Sequence, residues 1–117
     1  MLTVEIQTKV WLELSGSFVI GEGGLDLLRH IDRLQSLTQA ALEIGWSYRH
    51  AWGYLRNAER CLGETLVVTS PGKGARRGTA LSPAGSDLLR RLDRASQAVK
   101  ETAGRQWALE TSSRLIE

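Results

Sequence analysis

The residues best equipped for chemistry in this 117-residue chain fall between Ser47 and Arg77, and what they offer is positive charge and hydrogen-bond donors. Arg49, Gly53, Arg56 and Arg60 share one face of an α-helical repeat, while Ala51, Leu55, Ala58 and Leu62 form an apolar stripe on the other. A helix that buries one side and shows arginines on the other suits a DNA groove, where a guanidinium grips a guanine edge or a phosphate. The same pattern also fits an ordinary solvated helix, so the neighbouring segments have to decide.

Other chemistries lack their residues. The chain has two histidines and one cysteine, with no metal-ligand spacing and no convergent carboxylate pair, so no enzyme, catalytic residue or metal site is expected. His30 reads as a surface histidine. Lys73 is followed by Gly74, which breaks the phosphate-loop motif. Cys61 has no internal disulfide partner, reads as a core thiol and fits a reducing cytoplasm. No apolar run approaches a membrane span, and the N-terminus lacks a basic-then-apolar signal pattern. A cytoplasmic protein without membrane contact is therefore expected.

The net charge is only +2, but it is unevenly placed. Residues 49–79 hold six basic and two acidic side chains, and the remainder nine basic and eleven acidic. One basic surface on a near-neutral chain points to a polyanion.

The elements that must position this stretch follow from periodicity. Residues 2–14 alternate, with Leu2, Val4, Ile6, Val10, Leu12 and Leu14 at even positions, and predict a half-buried strand with a bend or bulge near Thr8. Ser15-Gly16 turns it, Ser17–Ile20 returns as a second strand, and Gly21-Glu22-Gly23-Gly24 breaks the pattern. Leu25–Leu34 is the first helix, with Leu25, Leu28 and Ile31 buried. Ser36–Ile44 is a short second helix, capped by Ser36 or Thr38, whose Ala40 and Ala41 allow close packing. Gly45 suits a left-handed turn, Trp46 is an apolar plug and Ser47 caps the arginine-bearing helix. Together these make the grammar of a helix-turn-helix.

Gly63 ends that helix. Thr65–Thr69 and Thr79–Leu81 read as strands around a glycine-rich basic loop, a wing from which Lys73, Arg76 and Arg77 reach phosphates or the minor groove. Ser82-Pro83 opens a last helix with a serine cap and a proline at its first position. Leu88, Leu92, Ala95 and Val99 form a stripe along it, and its roughly 21 residues span about 31 Å. That stripe covers this chain's core or packs on a second copy; the dimer is favoured. Gly104 is expected to end the helix. The expected fold class is mainly α with small β-hairpins. It is a winged helix-turn-helix with an N-terminal β-hairpin and a long C-terminal dimerisation helix at about 82–103. One domain covers residues 1–103, and residues 104–117 are a tail.

Three features resemble the N-terminal DNA-binding domain of the ModE family, the molybdate-responsive transcription regulators. They are Leu37-Thr38-Gln39-Ala40-Ala41 through Gly45-Trp46-Ser47-Tyr48-Arg49-His50-Ala51-Trp52, the Gly-Lys-Gly at Gly72 to Gly74, and Leu81-Ser82-Pro83-Ala84-Gly85. The broader LysR-type regulators share the helix-turn-helix and that last entry, but not Tyr48 and Trp52. The resemblance covers roughly residues 9–100. It implies a dimeric regulator of molybdenum-linked genes that binds double-stranded DNA. With the helix geometry, it puts Thr38, Gln39, Ser47, Tyr48, Arg49, His50, Gly53, Arg56, Lys73, Arg76 and Arg77 at the DNA, and Leu88, Leu92, Ala95 and Val99 at the homodimer interface. Arg56 is a phosphate contact or simply solvated; Trp52 is read as packing under the helix rather than touching a base. About 14 residues follow the last helix, too few for the family's molybdate-binding module, so no cofactor is expected. The rival reading is a winged-helix protein-interaction module with only general DNA affinity.

Overall fold

Ile20, Leu27, Leu28, Ile31, Leu55 and Leu66 are withdrawn from solvent almost completely, and the elements arrange themselves around them. The computed structural model describes residues 3–69 and 78–112. Its elements are β1 (Leu12–Leu14), β2 (Ser17–Ile20), α1 (Glu22–Leu34), α2 (Leu37–Ile44), α3 (Tyr48–Leu62), β3 (Val67–Thr69), β4 (Thr79–Leu81) and α4 (Pro83–Thr111). The two hairpins, β1–β2 and β3–β4, are separate antiparallel pairs. This is the expected mainly helical fold, with a hairpin on each side of the helix-turn-helix and a long last helix.

The helix-turn-helix is fixed locally. Ser36 Oγ accepts from Gln39 N and Ser47 Oγ from His50 N, so each serine caps its helix. Between them Gly45 takes φ +78°, the left-handed conformation that ends α2. Ala40, Ala41, Ala51 and Ala58 are all buried, which lets these helices approach closely.

Several boundaries differ from the sequence expectation. The strand expected over residues 2–14 is confined to Leu12–Leu14, because β2 offers only four residues to pair with. Its irregularity falls between Leu12 and Glu13 rather than near Thr8. The glycine cluster ends β2 at Ile20 as expected, but it also opens α1, which begins at Glu22 rather than Leu25 with Gly21 as its N-cap. Gly24 is there for packing, since a Cβ would collide with the Tyr54 ring and lie 2.6 Å from Ile20 Cγ1. Gly104 does not end α4, which continues to Thr111. A helical glycine costs only about 1 kcal/mol, and Gln97–Glu101 and Gln106–Glu110 hydrogen bonds span the turns on either side.

α4 is anchored at its start. Ser82 N–H donates to Leu66 O, Ser82 Oγ accepts from Gly85 N, and its hydroxyl donates to Thr65 O. Gly85 is buried where a Cβ would run into the Leu66 carbonyl. Arg29 pairs with Asp93, tying α1 to the same segment. Beyond Leu92 the helix leaves the core, and Val99 and Leu109 are 44% and 69% exposed.

Candidate nucleic-acid interface

α3 separates its two sides cleanly. Ala51, Leu55 and Ala58 are at most 1% exposed. Tyr48, Arg49, Trp52, Gly53, Arg56, Asn57 and Arg60 are exposed on the other side. Arg49, Gly53 and Arg60 lie opposite the apolar stripe, as their spacing dictates. Nothing lies within 4 Å of where a Cβ on Gly53 would stand, so the fold itself does not require glycine there.

Thr38 and Gln39 are exposed at the start of α2, and Ser47 is exposed while capping α3. The N-termini of α2 and α3 meet the base of the wing at a cleft of about 110 Å³ lined by Ser36, Thr38, Tyr48, Trp52, Thr69 and Thr79 among others. Five of these carry hydroxyls, donors suited to phosphate oxygens. The wing is held to this place by its backbone. Thr79 N–H donates to Gln35 O, and β3 pairs with β4 through Val67↔Leu81, Val68↔Ala80 and Thr69↔Thr79. Lys73, Arg76 and Arg77, expected on the wing loop, lie outside the described residues.

His50 stands apart from the other expected contacts. Its side of α3 faces the N-terminal hairpin, with its ring centroid 4.3 Å from that of Trp46. Trp46 in turn lies 5.0 Å from Tyr54. The Tyr54 hydroxyl accepts from Gly21 N at 2.8 Å. Burial pushes its phenol up from the ordinary value, opposed by the Gly21 and Gly24 amides. This aromatic row locks the helix-turn-helix against α1 and β2.

Of the four residues expected at a dimer interface, Leu92 is buried in this chain's own core and Leu88 packs against it. Ala95 and Val99 are exposed. The stripe is continuous in sequence, but the core takes its first half.

One residue was missed by the sequence reading and another is only partly as read. Trp52, read as packing under α3, remains 37% exposed, and the Arg56 guanidinium sits 4.3 Å from the centre of its ring. The four-residue steps from Tyr48 to Trp52 to Arg56 carried that signal. Glu59 Oε2 accepts from Leu66 N at 2.8 Å and Val67 N at 3.3 Å, setting the wing's first strand on α3. No sequence pattern announces that role.

No protein-family model matches the chain. Over 80 residues it is 36% identical to the molybdenum-pterin-binding protein MopB of Rhodobacter capsulatus. The match covers 68% of this chain but spans only 29% of that protein's length. It overturns the expectation of a chain with no cofactor link, which rested on how few residues follow the last helix. The chain matches part of a protein named for binding molybdenum pterin, and where the sequence stops does not decide which modules accompany it. The correction assigns no site: among the described residues, no group of three or more His, Cys, Asp or Glu could hold a metal ion. Among them too, no helix is long and apolar enough to cross a membrane.

Proposed function

We propose that the chain is the DNA-binding part of a ModE-type transcription regulator, reading double-stranded DNA with α3 in the major groove and the β3–β4 wing beside it. The observation that carries this is the division of α3. Its apolar side is consumed by the core, and its free side offers Tyr48, Arg49, a space-clearing Gly53, Arg56 and Arg60. Arg49, in the first turn, reads a base or grips a phosphate, and Ser47, Thr38 and Gln39 hold the backbone. Lys73, Arg76 and Arg77 add wing contacts by their place in the sequence. Work in the cytoplasm agrees with the single free thiol of Cys61.

The protein acts as a homodimer in this reading. The exposed part of α4, from Ala95 through Val99 to Leu109, is the surface for a second copy, setting two α3 helices about one DNA turn apart. The likeness to a molybdenum-pterin-binding protein supports a tie to molybdenum-linked genes. Selection of genomic fragments by the purified protein at moderate salt tests all of this. A two-fold site enriched beside molybdate-transport or molybdoenzyme genes is expected. Enrichment elsewhere would discard the molybdenum tie alone. No enrichment, with weak binding that salt abolishes, would overturn sequence-specific reading and favour the protein-interaction module.

A further inference from the structure

We infer that Trp52 is a specificity-determining residue that meets the 5-methyl group of a thymine, with Arg56 stacked on its ring. This deepens the DNA-binding reading and rests on it. Tyr48, Trp52 and Arg56 follow one another at four-residue steps, so they form a column along α3 between the Arg49–Gly53 side and the wing. Part of the indole is seated in the cleft beside Ser36, Thr38, Thr69 and Thr79. The rest stays open, although large aromatics are usually drawn inward.

Chemistry narrows what that open surface can do. An indole carries no charge and only one N–H donor, so it adds little to phosphate attraction. Its apolar surface complements the one apolar group on the major-groove edge of the bases, the thymine methyl. Arg56 is held to the same place, over the ring and 3.5 Å from Glu59 Oε1. The cation–π contact restrains a long side chain before DNA arrives, keeping its donors beside the apolar surface. Together they favour a thymine with a hydrogen-bond acceptor next to it.

The test uses duplexes that the full-length protein enriches from a random-sequence library. Each thymine in the enriched half-site is replaced in turn by deoxyuridine, which removes only the methyl group. Wild-type affinity should fall roughly fourfold at one position per half-site, the value of one buried methyl. Trp52→Leu keeps the cleft filled and removes the ring. It should have lost that preference already and show no further fall with uracil there. Its loss of affinity for random-sequence duplex should be smaller than its loss on the enriched one.

Trp52→Leu retaining the full thymine preference would overturn the inference, as would wild type indifferent to every uracil. A Trp52→Leu protein with an unchanged melting temperature but equal losses on enriched and random duplexes would also overturn it, because Trp52 would then only position the helix and wing. Failure of the underlying reading looks different: the wild-type protein would enrich nothing from the library.

Discussion

α3 and α4 begin from the same amphipathic design and end in different situations. α3 has its apolar stripe absorbed by the core from Ala51 to Ala58, with alanines at 0% exposure, and Leu62 packs against it. α4 is absorbed into the core only as far as Leu92, and beyond it the helix is mostly exposed, with Trp107 Nε1 donating to Val4 O of the N-terminal segment. In α3 the free side is therefore polar, basic and aromatic, while in α4 it includes the aliphatic Ala95, Val99 and Leu109. Periodicity tells which residues share a face, but only packing tells which faces are left over. The left-over faces are the ones open to partners: in the proposed function, a polyanion on α3 and a second copy on α4.

Glycine gives the largest way to break the contrast within α4. Gly85→Ala should destabilise the fold by about 3 kcal/mol, since the new methyl meets backbone rather than a movable side chain. Gly104→Ala, in open space, should stabilise the helix by up to about 1 kcal/mol. Thermal and urea melts of the two variants check both signs. Equal responses would mean that α4 is not divided as described.

Arg49→Ala sharpens the reading of α3. It should weaken binding to a selected duplex by about 1–3 kcal/mol while leaving the melting temperature within a degree or two of wild type. Unchanged affinity, measured by fluorescence anisotropy, would remove Arg49 from the interface. On α4, Val99→Glu should raise the dimer dissociation constant at least tenfold, about 1.4 kcal/mol. Sedimentation equilibrium reads this, and monomer stability should not change because Val99 lies outside the core.

Gly53→Ala separates folding from function at a single residue. It should gain about 0.5–1 kcal/mol in stability, because the helix prefers alanine and the space is empty. It should also bind DNA less tightly, because in the proposed docking the methyl stands where the groove approaches. Tyr54→Phe tests the aromatic row behind α3. Losing the acceptor for Gly21 N–H should cost about 1 kcal/mol near neutral pH. The phenol is raised in the folded protein, so the folded state holds its proton more tightly than the unfolded chain. That contribution is full below the unfolded value and fades as pH rises through the folded one. The variant should therefore show a shallower alkaline loss of stability than wild type.

Much of this was legible beforehand, and the reasons differ by residue. Ser36, Ser47 and Ser82 cap helices through a few local atoms, so sequence alone finds such sites; of the two caps considered for α2, Ser36 is the one used. The α3 stripe was readable because Ala51, Leu55 and Ala58 are buried and Leu62 packs against the same core. The extent of the first strand depended on its partner's length, which alternation does not encode. Gly23 and Gly24 look like a chain breaker locally and are instead room for Trp46 and Tyr54. Glu59 resembles any acid on a helix until the wing's backbone N–H groups arrive at its carboxylate. Trp52 was visible as a position, but how much of it stays uncovered depends on how tightly α2, α3 and the wing close around it.

The measurement closest to the central claim is the affinity of the purified protein for an enriched duplex and for a scrambled duplex of the same length and composition, across a series of salt concentrations. The account predicts that both affinities fall linearly on a log–log plot, with a slope near −0.9 for each phosphate neutralised. The enriched duplex should stay at least about a thousandfold tighter throughout. Equal affinities for the two duplexes, or binding indifferent to salt, would contradict it.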